Sequence, residues 1–250
     1  MKLVLFSYPK HYHIMHLAYR HAMTAFDNIT SVVVVWDDRY NNTQPEISFA
    51  DEVILHSSLD FLSIEKHGWL RQQYVKLNLH KLFDDDQWIV LDADVILKNK
   101  KLFNNKEIYT ECNDYYEPYF KFIKHAFDID KNNSPSYMAH FALFERSVLT
   151  SIEEFILNKH GKDLITVYNE YLDVEPPACP GFSEFEIYGL FVERILQQQI
   201  SLPNYQIENY LADNFIKYYT AEHDLLLEGS DAEIPIEFWQ AENVKVQKII

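Results

Sequence analysis

Residues 88–97 read Trp-Ile-Val-Leu-Asp-Ala-Asp-Val-Ile-Leu. The apolar run Trp88 to Leu91, with two β-branched residues, predicts a buried strand. That strand ends in two carboxylates one residue apart, Asp92 and Asp94. A bare carboxylate is costly to bury unless it is paired or bound to a metal. At a strand end both can turn toward one site. Hard divalent cations such as Mg²⁺ and Mn²⁺ take oxygen donors there, typically one or two carboxylates together with substrate phosphates. The bland alternative is a solvated turn.

Upstream, apolar runs alternate with helical periodicities. Leu3 to Phe6 predicts a strand, and residues 12–26 a helix with Ile14, Leu17, Ala18, Ala22 and Ala25 on one face. Ser31 to Trp36 and Val53 to Leu55 predict two more strands, and Gly68 precedes a helix running from about Trp69 to Phe83. This β-α-β order predicts an α/β fold, a doubly wound and mostly parallel sheet that binds ligands at the carboxyl ends of its strands. Ser7, Tyr8 and Pro9 end the first strand and Asp37 and Asp38 the second, where they would face a nucleoside or serve as ordinary loop polarity. Downstream, residues 107–112 and 137–144 are candidate strands. Residues 146–159, 162–172 and about 184–199 are candidate helices, and Asn214 to Tyr219 a last strand. With no repeat or linker, one domain over 1–250 is the simplest organisation.

The net charge of −16, from 22 basic and 38 acidic residues, argues against a nucleic-acid surface and against polybasic docking on membranes. Two cysteines, Cys112 and Cys179, make neither a disulfide framework nor a metal-ligand spacing. His11, His13, His16 and His21 lack companion ligands for zinc. The N-terminal apolar run is too short for a signal peptide, and no stretch approaches a membrane span. The expectation is a cytoplasmic protein without an integral membrane segment.

In the helix before the Asp-x-Asp strand, Leu70, Tyr74 and Leu77 mark a buried face, widened by Val75, Leu79 and Leu82. Gln73, Lys76 and His80 form another stripe, flanked by Arg71 and Gln72. A cation and amides beside the aspartates could hold a phosphate or a base, Lys76 foremost; a solvated helix face is the alternative. Far downstream, Ser183-Glu-Phe-Glu186 opens a helix, with Ser183 at the cap and Glu186 three residues later in the spacing of a capping box. Glu184 has no such structural explanation.

The three segments GWLRQQYVKLNLHKL, WIVLDADVIL and GFSEFEIYG, in this order, resemble a family of little-characterised bacterial and viral glycosyltransferases of GT-A fold. The likeness spans roughly residues 68–190. It implies a metal-dependent transferase that takes a sugar from a nucleotide-diphosphate sugar donor, with Mn²⁺ or Mg²⁺ at Asp92 and Asp94. Residues 1–97 would then be the nucleotide-sugar half and 98–250 the acceptor half. By the same resemblance Glu184 or Glu186 is the base of an inverting transfer, taking the acceptor's proton. The resemblance also puts His140, which a core hydrogen bond would equally explain, and Tyr188 beside the acceptor, and offers His223, by its position after the last expected strand, as a third metal ligand. The acceptor would be a glycan, a lipid-linked sugar or a protein, and a lipid-linked one would bring the protein to a membrane surface. Two rivals remain. A haloacid-dehalogenase-like phosphohydrolase would use Asp92 as nucleophile, but that group carries the motif on its first strand. A non-catalytic nucleotide-sugar-binding module would bind without turnover.

Overall fold

The computed structural model describes residues 1–8, 12–38, 46–59, 68–93, 115–132, 136–138, 141–174 and 181–198. The chain divides into two units, Met1–Tyr205 and Gln206–Ile250, and every described residue belongs to the first. The candidate strands at 107–112 and Asn214 to Tyr219 lie outside the described residues.

Among the described residues five strands form one sheet: β1 (Lys2–Ser7), β2 (Ser31–Trp36), β3 (Glu52–Leu55), β4 (Gln87–Asp92) and β5 (Phe141–Glu145), in the spatial order β3-β2-β1-β4-β5. The first four are mutually parallel and β5 runs antiparallel to β4. The fold is therefore α/β with a mostly parallel sheet, as the alternation of periodicities predicts. Strands covered on both faces read as unbroken apolar runs, which is why Leu3, Val4 and Leu5 are all inaccessible to solvent.

Among the described residues seven helices accompany the sheet: α1 (Tyr12–Ala25), α2 (Gly68–Leu77), α3 (Leu79–Leu82), α4 (Glu117–Phe127), α5 (Arg146–His160), α6 (Leu164–Val174) and α7 (Glu184–Arg194). Alternate strand residues Val4, Phe6, Val33, Val35, Trp88, Val90, Ala142 and Phe144 share one hydrophobic cluster with residues of α2 and α4–α7. Helix α1 packs on β1 through Met15, Ala18, Ala22 and Ala25, which are buried but outside that cluster. The side chains of Ile14 and Leu17 are not among those described. No helix among the described residues is long and apolar enough to cross a membrane.

Four expectations change. The helix from Trp69 to Phe83 is two helices, because Asn78 adopts φ −113°, ψ 18° and its side-chain amide donates to the Tyr74 carbonyl at 2.8 Å. This is the local competition with the helix ladder that asparagine offers. Helix α4 is not foreseen at all. In place of the strand expected over 137–144, the described residues form a strand at Phe141–Glu145, with 137 and 138 outside it, and the helix expected over 184–199 stops at Arg194.

The register brings the strand ends together. Ser7 lies opposite Trp36, Phe6 opposite Asp92, and Trp36 opposite Leu55. Ser7, Asp37 and Asp92 therefore share one edge of the sheet, the edge where parallel α/β sheets bind ligands.

Candidate functional site

Lys76 and Glu184 lie 108 residues apart in sequence and meet in the core. Lys76 projects from the last turn of α2 with no exposed surface, and its ammonium passes the rings of Phe6 and Phe185, 5.4 and 4.8 Å from their centroids. Its Nζ donates to Asp92 Oδ1 at 2.5 Å and to Glu184 Oε1 at 2.6 Å. One turn earlier on α2, Gln73 is also buried, and its amide, oriented by its partners, donates to Glu184 Oε1 at 2.8 Å. Three separated segments thus deliver a four-residue polar cluster to the carboxyl end of β4. All four residues are ones the sequence singles out.

The charges explain how the cluster survives burial. Loss of water works against the Lys76 ammonium, but the carboxylates of Asp92 and Glu184 outweigh it and raise the Lys76 pKa, so it stays charged. Burial pushes the Glu184 carboxyl above its ordinary range, and Asp92 adds to this while Lys76 opposes it. Such a group depends on its partners, because removing one member of a buried ion pair costs about 3–5 kcal/mol. Asp92 is the cluster's outlet: its side chain keeps 18% of its surface accessible, against 1% for Glu184.

Glu186 does something else. Ser183 caps α7 by accepting the Glu186 N–H at 3.3 Å, but the Glu186 carboxylate serves a neighbouring segment rather than the cap. It accepts from Ser136 Oγ at 2.5 Å and from the Tyr137 N–H at 3.1 Å, with Lys131 Nζ 3.7 Å away. Ser183 Oγ also donates to Met138 Sδ at 3.0 Å. The start of α7 is therefore a clamp on residues 136–138. Burial raises the Glu186 pKa against the pull of Ser136 and Lys131.

Tyr188 lies in the core, not on a cleft. Its hydroxyl accepts the Glu145 N–H at 3.0 Å and its ring stacks on Phe144 at 4.4 Å. This assigns it to packing of β5 against α7. His80, expected in a stripe with Gln73 and Lys76, pairs with Glu153 at 2.8 Å, because the break at Asn78 turns it away.

On the strand edge beyond the cluster, the Asp37 N–H donates to the Ser7 carbonyl at 2.8 Å, and Asp37 Oδ2 lies 3.7 Å from His56 Nδ1. Ser7 Oγ is buried and has no hydrogen-bond partner among the described residues. Asp38 is committed to structure: it accepts from the Ser57 N–H at 3.0 Å and from the Ser57 hydroxyl, fixing a 3-10 turn over His56–Ser58. Arg71 binds the His56 carbonyl at 3.2 Å. Tyr8 is partly exposed beside Ser7. His56 is missed by sequence reasoning, since a lone histidine after a short strand carries no periodic or motif signal. Asp94, His140 and His223 lie outside the described residues.

A divalent ion shared by Asp92 and Glu184 does not fit this arrangement, because the Lys76 ammonium already fills the space between them. Among the described residues no three His, Cys, Asp or Glu side chains converge as a metal site.

Over residues 3–221 the chain matches a family of unknown function, DUF6492. It belongs to that family. The match takes in all four residues of the cluster, and His223 falls just beyond it. A crystal structure of an active-site mutant of LgtC is similar to this DUF6492 member over 96% of this chain and 99% of that one, at 14% identity and a TM-score of 0.48. No curated protein sequence matches it.

Proposed function

We propose that this chain is a glycosyltransferase that moves a sugar from a nucleotide-diphosphate sugar to an acceptor hydroxyl. The observation that carries this is the convergence of Gln73, Lys76, Asp92 and Glu184, from three distant segments, on the ligand-binding edge of the sheet. Ser7 and Asp37 lie on the same edge at the ends of β1 and β2, suited to the nucleoside. In the transfer, the acceptor oxygen bonds to the anomeric carbon while the carbon–oxygen bond to the diphosphate breaks with its electron pair, and the acceptor's proton passes to a base. Glycosyl transition states resemble an oxocarbenium ion. One ammonium between two carboxylates leaves a net negative charge held in fixed geometry, and such a preorganised charge favours the positive carbon that develops.

Asp92 is the member of the cluster placed to meet the sugar. Glu184, enclosed by Lys76 and Gln73, acts on the sugar through them. Glu186 is tied to Ser136 and Tyr137. The inverting course with a glutamate base therefore gains no support from this geometry. The phosphohydrolase alternative is disfavoured because the aspartate strand is the fourth in sequence and Asp92 Oδ1 is held by an ammonium rather than poised for attack.

A thermal-shift panel of UDP-, GDP-, CMP- and dTDP-sugars, each with and without Mn²⁺, tests the proposal on wild type and Asp92→Asn. A ligand at a hundred times its Kd stabilises the native state by about 2.7 kcal/mol, a rise in Tm of several degrees. One of the diphosphate-sugar classes should give that rise in the wild type and lose most of it in Asp92→Asn, with the CMP-sugar, which has no diphosphate, giving none. A flat response to every donor contradicts the assignment.

A further inference from the structure

Lys76 stands where a cation shared by Asp92 and Glu184 would stand. Its Nζ lies 2.5 Å from one carboxylate and 2.6 Å from the other, and both Lys76 and Glu184 are fully buried. The surroundings hold it there: Gln73 fixes Glu184 from the same helix, and the Phe6 and Phe185 rings flank the ammonium. An ammonium has three donors and a single charge. Hard divalent ions prefer the kind of paired carboxylate oxygens it occupies.

We propose that Lys76 is a built-in cation, a positioning residue that fills the space between Asp92 and Glu184 and keeps a divalent metal from bridging them. Asp92 then meets its ligand with one oxygen already compensated and its orientation fixed by the Lys76 contact. Glu184 and Gln73 serve to hold Lys76 in place.

The inference deepens the transferase assignment at the same site, but its test uses no nucleotide, so either can fail while the other stands. Mn²⁺ alone is titrated into the wild type, Lys76→Met and the double variant Lys76→Met/Glu184→Gln, with free Mn²⁺ followed by its electron paramagnetic resonance signal. Lys76→Met leaves two carboxylates facing each other, and it should bind Mn²⁺ at least tenfold more tightly than the wild type. The double variant, which lacks one of those carboxylates, should lose that gain. Should Lys76→Met be unfolded without metal, recovery of its far-ultraviolet circular dichroism on adding Mn²⁺ reports the same event. The proposal is overturned if folded Lys76→Met binds Mn²⁺ no better than the wild type. It is equally overturned if the double variant keeps the gain, or if millimolar Mn²⁺ fails to refold an unfolded Lys76→Met.

Discussion

Glu184 and Glu186 are two residues apart on one helix, so they point to opposite sides of it. One joins Lys76 and Asp92; the other holds Ser136 and the Tyr137 N–H. Sequence shows both as acids in a first turn, and the capping-box spacing offers a structural reason for Glu186 alone. The structural role is real but its partner is different. Nothing in the local pattern reveals a hydrogen bond to a segment about fifty residues away. Burial raises the Glu186 pKa from its ordinary 4.5. An acid whose pKa rises on folding binds more protons folded than unfolded, so it costs stability as pH climbs from the ordinary value to the raised one. Glu186→Gln keeps the carbonyl that accepts from Ser136 and Tyr137 but cannot ionise. Its Tm relative to wild type should therefore become more favourable as pH rises above about 4.5 and level off once the raised pKa is passed. Melting curves across that range check this, and a difference that does not vary with pH contradicts it.

At the scale of elements, the segment from Phe182 to Gly189 explains itself residue by residue. Ser183 caps α7, Glu184 reaches the ion cluster, Glu186 clamps the 136–138 segment and Tyr188 ties β5. Gly189 makes room: a Cβ there would run into the Tyr137 ring, far inside contact distance. Tyr137 is itself fully buried, and its hydroxyl donates to Glu193 at 3.1 Å, so the ring has little freedom to yield. Gly189→Ala should destabilise the protein by about 2 kcal/mol or more, since overpacking costs typically 1–3. Denaturant unfolding measures this, and a change under about 0.5 kcal/mol, the ordinary surface-substitution range, would remove the clamp's rationale. The strands were legible because their buried runs are continuous and β-branched. Helix α4 was not. Pro118 in its first turn and a dense set of aromatics, with Phe120, Phe122 and Phe127 all buried, disguise its period. The break at Asn78 was likewise invisible, because Leu79 and Leu82 continue the apolar spacing across it.

For the whole molecule, the β-α-β alternation predicts the mostly parallel α/β sheet that the structure has, and Ser7, Asp37 and Asp92 gather at the carboxyl ends of its strands. Lys76, Gln73, Asp92 and Glu184 could each be picked from sequence as chemically notable. Their contact could not, because it depends on how α2 and α7 pack together over β4. What the fold adds is a difference of role. Asp92 reaches the surface, while Lys76 and Glu184 support it from within. The most direct test of that account is consumption of the nucleotide sugar itself. Purified wild type, Asp92→Asn and Glu184→Gln are incubated with each UDP-, GDP- and dTDP-sugar, and release of nucleoside diphosphate is followed by chromatography, with a phosphomonoester as the parallel substrate. The account predicts slow release from one donor class by the wild type, a loss of at least about a hundredfold in both variants, and no phosphate from the monoester. Phosphate release from the monoester with every nucleotide sugar left intact would contradict it.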